Sequence, residues 1–385
     1  MTAQLEKQLL EAGQWPTQPL ADCIQKVAIP AKVPRKQFLE KGDLPIISQE
    51  AAFINGFWND KADAVSVPEP VIVFGDHTQV LKLIDFDFVV GADGVKILKP
   101  KPCLDAAFLR YFLEANPFPS LGYARHYRHV SKLKVPLPPL EEQERIVAML
   151  DKAFAALDRA RALAETNLAD AEELFSSFLE NEFSEREKWT RGELGQRVKF
   201  IDYRGKTPPK TDSGVRLITA KNVRMGFIKP DPIEFILEEA YDAWMTRGFP
   251  AIGDVLFTTE APLAYVAQLD TDEKVVIGQR LITFKTDSNE IAPSFLKWSL
   301  ISPQMQSEIH SQATGATVLG IKAKLLKKIA LFVPQDIEVQ EAVALKCEEA
   351  FRMSNELAVA YRAKLADLDT LRQSILQRAF AGELT

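Results

Sequence analysis

Cysteine is scarce in this 385-residue chain: Cys23, Cys103 and Cys347 are the only three, and no two form a Cys-x-x-Cys pair. That spacing argues against a disulfide framework and against a zinc site, and predicts reduced thiols in a cytosolic protein. Histidine is nearly as rare, with four residues. Only His126 and His129 lie close together, without a third ligand in view, so no metal centre is expected. No run of about 18 apolar residues exists, which predicts no membrane span. The opening MTAQLEKQLLEAGQWP is polar and lacks a signal-peptide core, so the expected location is cytoplasmic. Catalytic motifs are missing too. There is no Walker lysine loop, and FVVGADG (88–94) has no dinucleotide pattern. Asn116-Pro117-Phe118-Pro119 only approximates an amino-methyltransferase loop and lies outside any glycine-rich cofactor context. No catalytic residue is expected.

A strong basic charge is also absent, since the net charge is −6. The acidity is unevenly placed. Residues 141–185 hold 12 acidic against 4 basic side chains, and residues 335–385 hold 9 against 6. The remainder is slightly basic: residues 1–140 hold 16 basic against 15 acidic side chains, and residues 186–334 hold 21 against 17. A positive face on each of these two stretches is compatible with nucleic-acid binding.

What the chain does contain is a repeat. LPPLEEQERIVAMLDKAF (137–154) returns as VPQDIEVQEAVALKCEEAF (333–351), an offset of 197 residues. Gln143 matches Gln340, Phe154 matches Phe351, Leu174 matches Leu371 and Phe183 matches Phe380. Apolar or small residues recur in steps of three and four from Ile146 through Leu150, Ala153, Leu157, Ala160, Ala164, Leu168, Ala171 and Leu174 to Phe178. In the second copy they run from Val343 through Cys347, Ala350, Ser354, Leu357, Tyr361, Leu365, Leu368 and Leu371 to Ile375. This is one helical face, close to a heptad seam. Pro138 and Pro139 stop any helix upstream, and Glu141, Glu142 and Glu144 suit its N-terminal dipole. Each helix would run about 66 Å at 1.5 Å per residue. An antiparallel two-helix coiled coil satisfies both stripes and predicts pseudo-twofold symmetry.

The stretches between read as mixed α/β. Strands are predicted at 45–48, 71–74, 87–91 and 96–99, and at 215–219, 254–259, 265–269, 274–277 and 280–284. Helices are predicted at 105–115 and 293–309. Trp15-Pro16 and Trp189-Thr190 open the two stretches alike, after which the sequences diverge. The expected organisation is an α+β chain with globular domains at 1–140 and 186–334 and helical spacers at 141–185 and 335–385. A shared scaffold with different contents suits two modules that recognise different things.

Three loops supply basic groups with polar or aromatic neighbours. GYARHYRHVSKLK (122–134) offers Tyr123, Arg125, His126, Tyr127, Arg128 and His129. YRGKTPPK (203–210) offers Arg204, Lys206 and Lys210, and AKNVR (220–224) offers Lys221, Asn222 and Arg224. Arg and Lys suit guanine edges and phosphates, and Asn suits adenine. From these residues alone, double-stranded DNA competes with two other readings. One is a protein-interaction scaffold without DNA readout; the other is a divergent enzyme with a split site.

VPLPPLEEQERIVAMLD (135–151), its echo ALFVPQDIEVQEAVALK (330–346), the ending LRQSILQRAFAGELT (371–385), QATGATVLGIKAKLLKKIALFVP (312–334) and GDVLFTT (253–259) occur in order along the chain. Together they resemble the specificity subunit of a Type I restriction–modification system. The resemblance implies two target-recognition domains, each reading half of a split, asymmetric DNA sequence. It implies helical regions that set the gap and dock two modification (methyltransferase) subunits, with restriction (translocase) subunits joining the full complex. Pro138, Pro139, Glu142, Gln143, Pro334 and Gln340 then become docking candidates, and Lys322 and Lys324 further DNA-contact candidates. It also implies no catalysis by this chain. S-adenosylmethionine and ATP with magnesium would belong to the partner subunits.

Overall fold

The computed structural model describes residues 15–92, 94–119, 125–184, 188–203 and 208–383. Two compact units emerge: Met1–Ala164 with Ala363–Thr385, and Glu165–Arg362. Two long helices, Leu140–Glu182 and Ile337–Phe380, contribute to both units.

The first unit opens with a strand, Thr17–Pro19, that pairs antiparallel with Lys134–Pro136 just before the first long helix. Its main sheet is antiparallel and four-stranded, in the order Ile24–Gln25, Val95–Pro100, Val71–Gly75, Leu81–Ile84. All of Val71–Gly75 is buried, as a continuous apolar run at a sheet centre should be. A second sheet joins Lys32–Val33, Val89–Gly91, Leu44–Ile47 and Gly56–Trp58, with parallel pairings onto the Val89–Gly91 strand. The helix Ala106–Ala115 is capped by the Asp105 side chain and buries Phe108, Leu109 and Phe112.

The second unit repeats this plan with other residues. Thr190–Glu193 pairs with Ala330–Val333 before the second long helix. The main sheet runs Lys199–Asp202, Leu281–Lys285, Val255–Thr259, Leu263–Gln268, the same strand order as in the first unit. Its smaller sheet again has a parallel pair, Val215–Ile218 with Val275–Ile277. The single helix expected over 293–309 is two, Pro293–Ile301 and Pro303–Ser311. Pro303 explains the break, because its ring disfavours the helical conformation for the preceding residue, and Ser302 is non-helical at φ −55°, ψ 143°.

Within each unit the two long helices run antiparallel, the expected coiled coil. In the first unit Arg161 pairs with Asp369, and Arg372 reaches Asp158. In the second, Asn167 meets Tyr361, Glu172 meets Arg362, and the Ser354 hydroxyl donates to the Ala171 carbonyl at 3.0 Å. The seam departs from expectation at three places. Leu174 is 70%, Leu357 46% and Leu371 47% exposed, while Ala358 and Leu376 are buried and Phe175 packs inward. Steps of three and four alternate irregularly along a 3.6-residue helix, so a stripe read from sequence drifts by one residue.

The matched phenylalanines of the repeat do equivalent work. In the first unit Phe154 contacts Tyr111 and Phe380 contacts Phe108, with ring centroids 5.4 and 5.1 Å apart. In the second, Phe351 contacts Trp298 and Phe183 contacts Phe295, at 5.3 and 5.7 Å. Each domain helix is thus gripped by one aromatic from each long helix. Rings at these separations contribute through their quadrupoles as well as their buried area.

Candidate nucleic-acid interface

The strongest repeated feature is a glutamine clamp. Gln143 is fully buried in the first turn of its helix. Its Oε1 accepts from the Asp105 N–H at 2.8 Å, and its Nε2 donates to the Cys103 and Pro138 carbonyls at 2.9 and 2.8 Å. Gln340, also fully buried, accepts from the Ala292 N–H at 2.9 Å and donates to the Glu290 and Pro334 carbonyls at 3.0 and 2.8 Å. Asp105 and Ala292 are the N-cap residues of the two domain helices. Each glutamine therefore ties the start of a domain helix to the start of a long helix. A primary amide is suited to this, since it offers one acceptor and two donors.

This geometry corrects the docking role expected for Gln143 and Gln340, whose polar atoms are directed inward. Pro138 and Pro334 are also buried and present their carbonyls to the clamps. Pro139 is exposed, and its carbonyl accepts from the Glu142 and Gln143 N–H groups. The Glu142 carboxylate takes two hydrogen bonds from Arg145, at 2.8 and 2.7 Å, which hold it below the usual carboxylate range.

The DNA-contact candidates separate into exposed and buried sets. Arg125 and Arg128 are exposed, and Arg128 Nε donates to the His129 ring at 3.1 Å. His126 is 1% exposed. Its Nδ1 lies 2.9 Å from the Asp76 carbonyl, which can only accept, so Nδ1 carries the proton. Tyr127 is half-buried, with Lys96 Nζ 5.4 Å from its ring centroid; burial raises its phenol pKa. Tyr123, Arg204 and Lys206 lie outside the described residues. Lys210 and Lys221 are exposed and converge on Glu234, at 2.6 and 3.9 Å. Arg224 is half-buried and donates to the Val223 carbonyl at 2.8 Å.

Asn222 is fully buried. Its Oδ1 accepts from the Thr219 N–H and hydroxyl, and its Nδ2 donates to the Lys229, Pro230 and Pro232 carbonyls. It organises the loop and presents no edge to a base, which corrects its expected role; His126 is likewise a buried organiser. Asn222 satisfies its own turn from inside, whereas the His126 ring reaches a carbonyl 50 residues away in sequence.

Lys322 and Lys324 are exposed. Lys322 lines a notch of about 310 Å³ with Thr259, Glu260, Gln279, Arg280 and Gly320. Arg280, Gln279 and Glu260 were absent from the sequence candidates because Arg280 reads as the first residue of strand 280–284. The strand begins at Leu281, and Arg280 stands before it in the left-handed region at φ +70°. The Gly278-Gln279-Arg280 interruption between two apolar runs was the available signal.

A buried lysine organises the first domain in a related way. Lys82 Nζ donates to the carbonyls of Ser48, Ala52 and Phe53, at 3.0, 2.5 and 3.3 Å, and to Asn55 Oδ1 at 3.1 Å. Burial lowers its pKa. The loop it holds exposes Phe53 and Ile54. Among the described residues no group of three or more His, Cys, Asp or Glu is arranged to hold a metal, and no helix is long and apolar enough to cross a membrane.

Comparison with known proteins finds chains similar to this one. Residues 14–165 match the Type I restriction modification DNA specificity domain. The chain is 27% identical over 378 residues to the Type I restriction enzyme EcoR124I/EcoR124II specificity subunit of Escherichia coli, spanning 89% of this chain and 88% of that one. It is 23% identical over 318 residues to the EcoKI specificity subunit of Escherichia coli K12, spanning 75% and 68%. In fold it is similar to a chain from a type I R-M system solved for its complex assembly and conformational transition, with a TM-score of 0.69 at 18% identity, covering 97% and 99% of the two chains. The HsdS subunit from Thermoanaerobacter tengcongensis is similar at a TM-score of 0.51 and 18% identity, covering 97% and 98%. With its doubled domain plan and paired long helices, the chain is similar to the DNA specificity subunits of Type I restriction–modification systems.

Proposed function

We propose that each unit reads one half of a bipartite, asymmetric duplex target, and that the chain performs no chemistry itself. The observation that carries this is the repeated strand order furnished with different exposed loops. Equal scaffolds with unequal tips suit two half-sites of unequal sequence. Arg125, Arg128, Lys210, Lys221, Lys322 and Lys324 supply exposed cations for phosphates and base edges. The long helices set the unread gap and dock two modification subunits. Their acidic surfaces repel DNA, and in the second unit Leu174, Leu345, Met353, Leu357 and Val359 leave apolar groups on the outside for a protein partner. Methyl transfer from S-adenosylmethionine and ATP-driven cleavage with magnesium belong to the modification and restriction subunits.

Adding one helical turn beside Ala160 tests this reading through methylation-motif sequencing of a host that carries the system. The expected result is a changed gap with both half-sequences preserved. An altered half-sequence would overturn the spacer role. Exchange of residues 1–140 for those of a homologue should replace one half only. Loss of all sequence preference in the unmodified protein, at stated moderate salt, would favour a scaffold instead.

A further inference from the structure

Both units contain the same backbone junction beside the main sheet. In the first, the Asp76 N–H donates to the Gly94 carbonyl at 2.6 Å, and the Asp76 carbonyl accepts from the His126 N–H at 2.9 Å. In the second, the Thr259 N–H donates to the Arg280 carbonyl at 2.9 Å, and the Thr259 carbonyl accepts from the Ile321 N–H at 3.0 Å. The residue just before the following strand is left-handed in both, Gly94 at φ +84° and Arg280 at φ +70°. Glycine adopts that conformation freely, whereas any L side chain is strained there. The second unit keeps a long cationic side chain at a place where its counterpart has none.

The surroundings differ in the matching sense. A Cβ at Gly94 would meet the Gln49 side chain at 2.6 Å, so the first junction is filled. The second is an open notch of about 310 Å³. Arg280 is 48% exposed, and its Nε lies 3.0 Å from Glu260 Oε1, while its terminal amino groups have no partner among the described residues. The notch is walled by a turn closed through two hydrogen bonds between Thr314 and Gly320, 2.9 and 3.0 Å. Gly315, at φ +133°, is required in that turn because a Cβ would sit 2.0 Å from the Val318 carbonyl oxygen. Val318 and Leu319 are exposed at its tip. A cation held by one carboxylate, with a free planar fork beside apolar groups, matches the edge of guanine, which offers O6 and N7 to a bidentate arginine.

We propose that Arg280, oriented by Glu260, reads a guanine in the half-site recognised by the second unit. This rests on the reading of the chain as a DNA specificity subunit. The test selects bound duplexes from a randomised library with the full chain and its modification subunit at fixed salt, comparing unmodified protein with Arg280→Gly and Arg280→Lys. Glycine removes the fork and relieves the backbone, so its melting temperature should hold or rise. Lysine keeps the charge and the backbone strain but loses the bidentate geometry. The expected result for both is loss of preference at one guanine by about tenfold or more, with the other half-site intact. Retention of that guanine preference by either variant would overturn the assignment, as would a uniform loss of affinity with every preference unchanged, the mark of a phosphate contact. If the unmodified protein enriches no sequence, the DNA-specificity reading itself fails, and the two failures are distinguishable.

Discussion

Replacing Gln340 by alanine should loosen the second unit far more than a surface change would. The substitution removes three buried hydrogen bonds, to the Ala292 N–H and to the Glu290 and Pro334 carbonyls. Each such bond contributes about 1 kcal/mol net, and an orphaned buried group costs about as much again or more. Water entering the vacated space would recover part of that loss. The expected cost is therefore about 3 kcal/mol, large against a domain stability of roughly 5–15 kcal/mol. Because each unit has its own core, one global midpoint is a blunt measure, and amide hydrogen exchange is the better assay. Three kcal/mol corresponds to roughly 100-fold faster exchange in the helix Pro293–Ile301 where opening is local. The matching change, Gln143→Ala, should accelerate Ala106–Ala115 instead and leave the second unit unchanged. A glutamate at 340 sharpens the test, because a carboxylate facing two carbonyls cannot donate; stability should be poor at neutral pH and partly restored when acid protonates it. Unchanged exchange in Pro293–Ile301 for Gln340→Ala would refute the clamp.

Three further outcomes follow from the same structure. Lys82→Met should destabilise the first unit by about 2–4 kcal/mol, since it removes the Lys82 hydrogen bonds to the Ser48, Ala52 and Phe53 carbonyls and to Asn55 Oδ1, and limited proteolysis should then cut within 48–55. Tyr111 donates to Asp151, and burial with that carboxylate raises its phenol to about 12 from an ordinary 10. The folded state thus holds its proton more tightly than the unfolded state, so this stabilisation is complete below pH 10 and disappears between pH 10 and 12; Tyr111→Phe should flatten that part of the stability profile, measured by denaturant midpoint against pH. In a thiol-labelling assay on native protein only the exposed Cys103 should react promptly, because Cys23 and Cys347 are buried with thiols raised to about 11 and about 12; three equivalents reacting at equal rates would contradict the buried placement.

The repeat was legible in the sequence because it lies on helices, where position maps onto face. Phe154, Phe351, Phe183 and Phe380 were matched by offset alone, and each grips a domain helix. Most central strands were legible for a related reason, as buried apolar runs such as Val71–Phe74 need no partner to be recognised. The contact residues were less so. Basic side chains identify a loop but not its interior, and the same polarity that suits a base edge suits a turn. Asn222 and His126 took the second role. Arg280 was hidden by the opposite error, since a left-handed residue at a strand entrance leaves no mark in hydrophobic period.

These outcomes point to a division of labour within each unit. Residues that recur at matched positions, the clamp glutamines and the phenylalanines, are buried (Phe351 in part), and they fix where the domain helix meets the long helix. Residues that do not recur, Gly94 against Arg280 and Gln49 against an open notch, sit at the rim of the same backbone junction. A side chain changed at the rim disturbs no clamp hydrogen bond and no aromatic pair, so its effect on recognition is separable from its effect on stability. Combining Arg280→Gly with Gln340→Ala measures that separation. If the rim and the clamp are independent, the double variant should show the single-variant exchange rates and the single-variant base preference together. Coupling above about 0.5 kcal/mol would mean that the clamp also positions the reading edge.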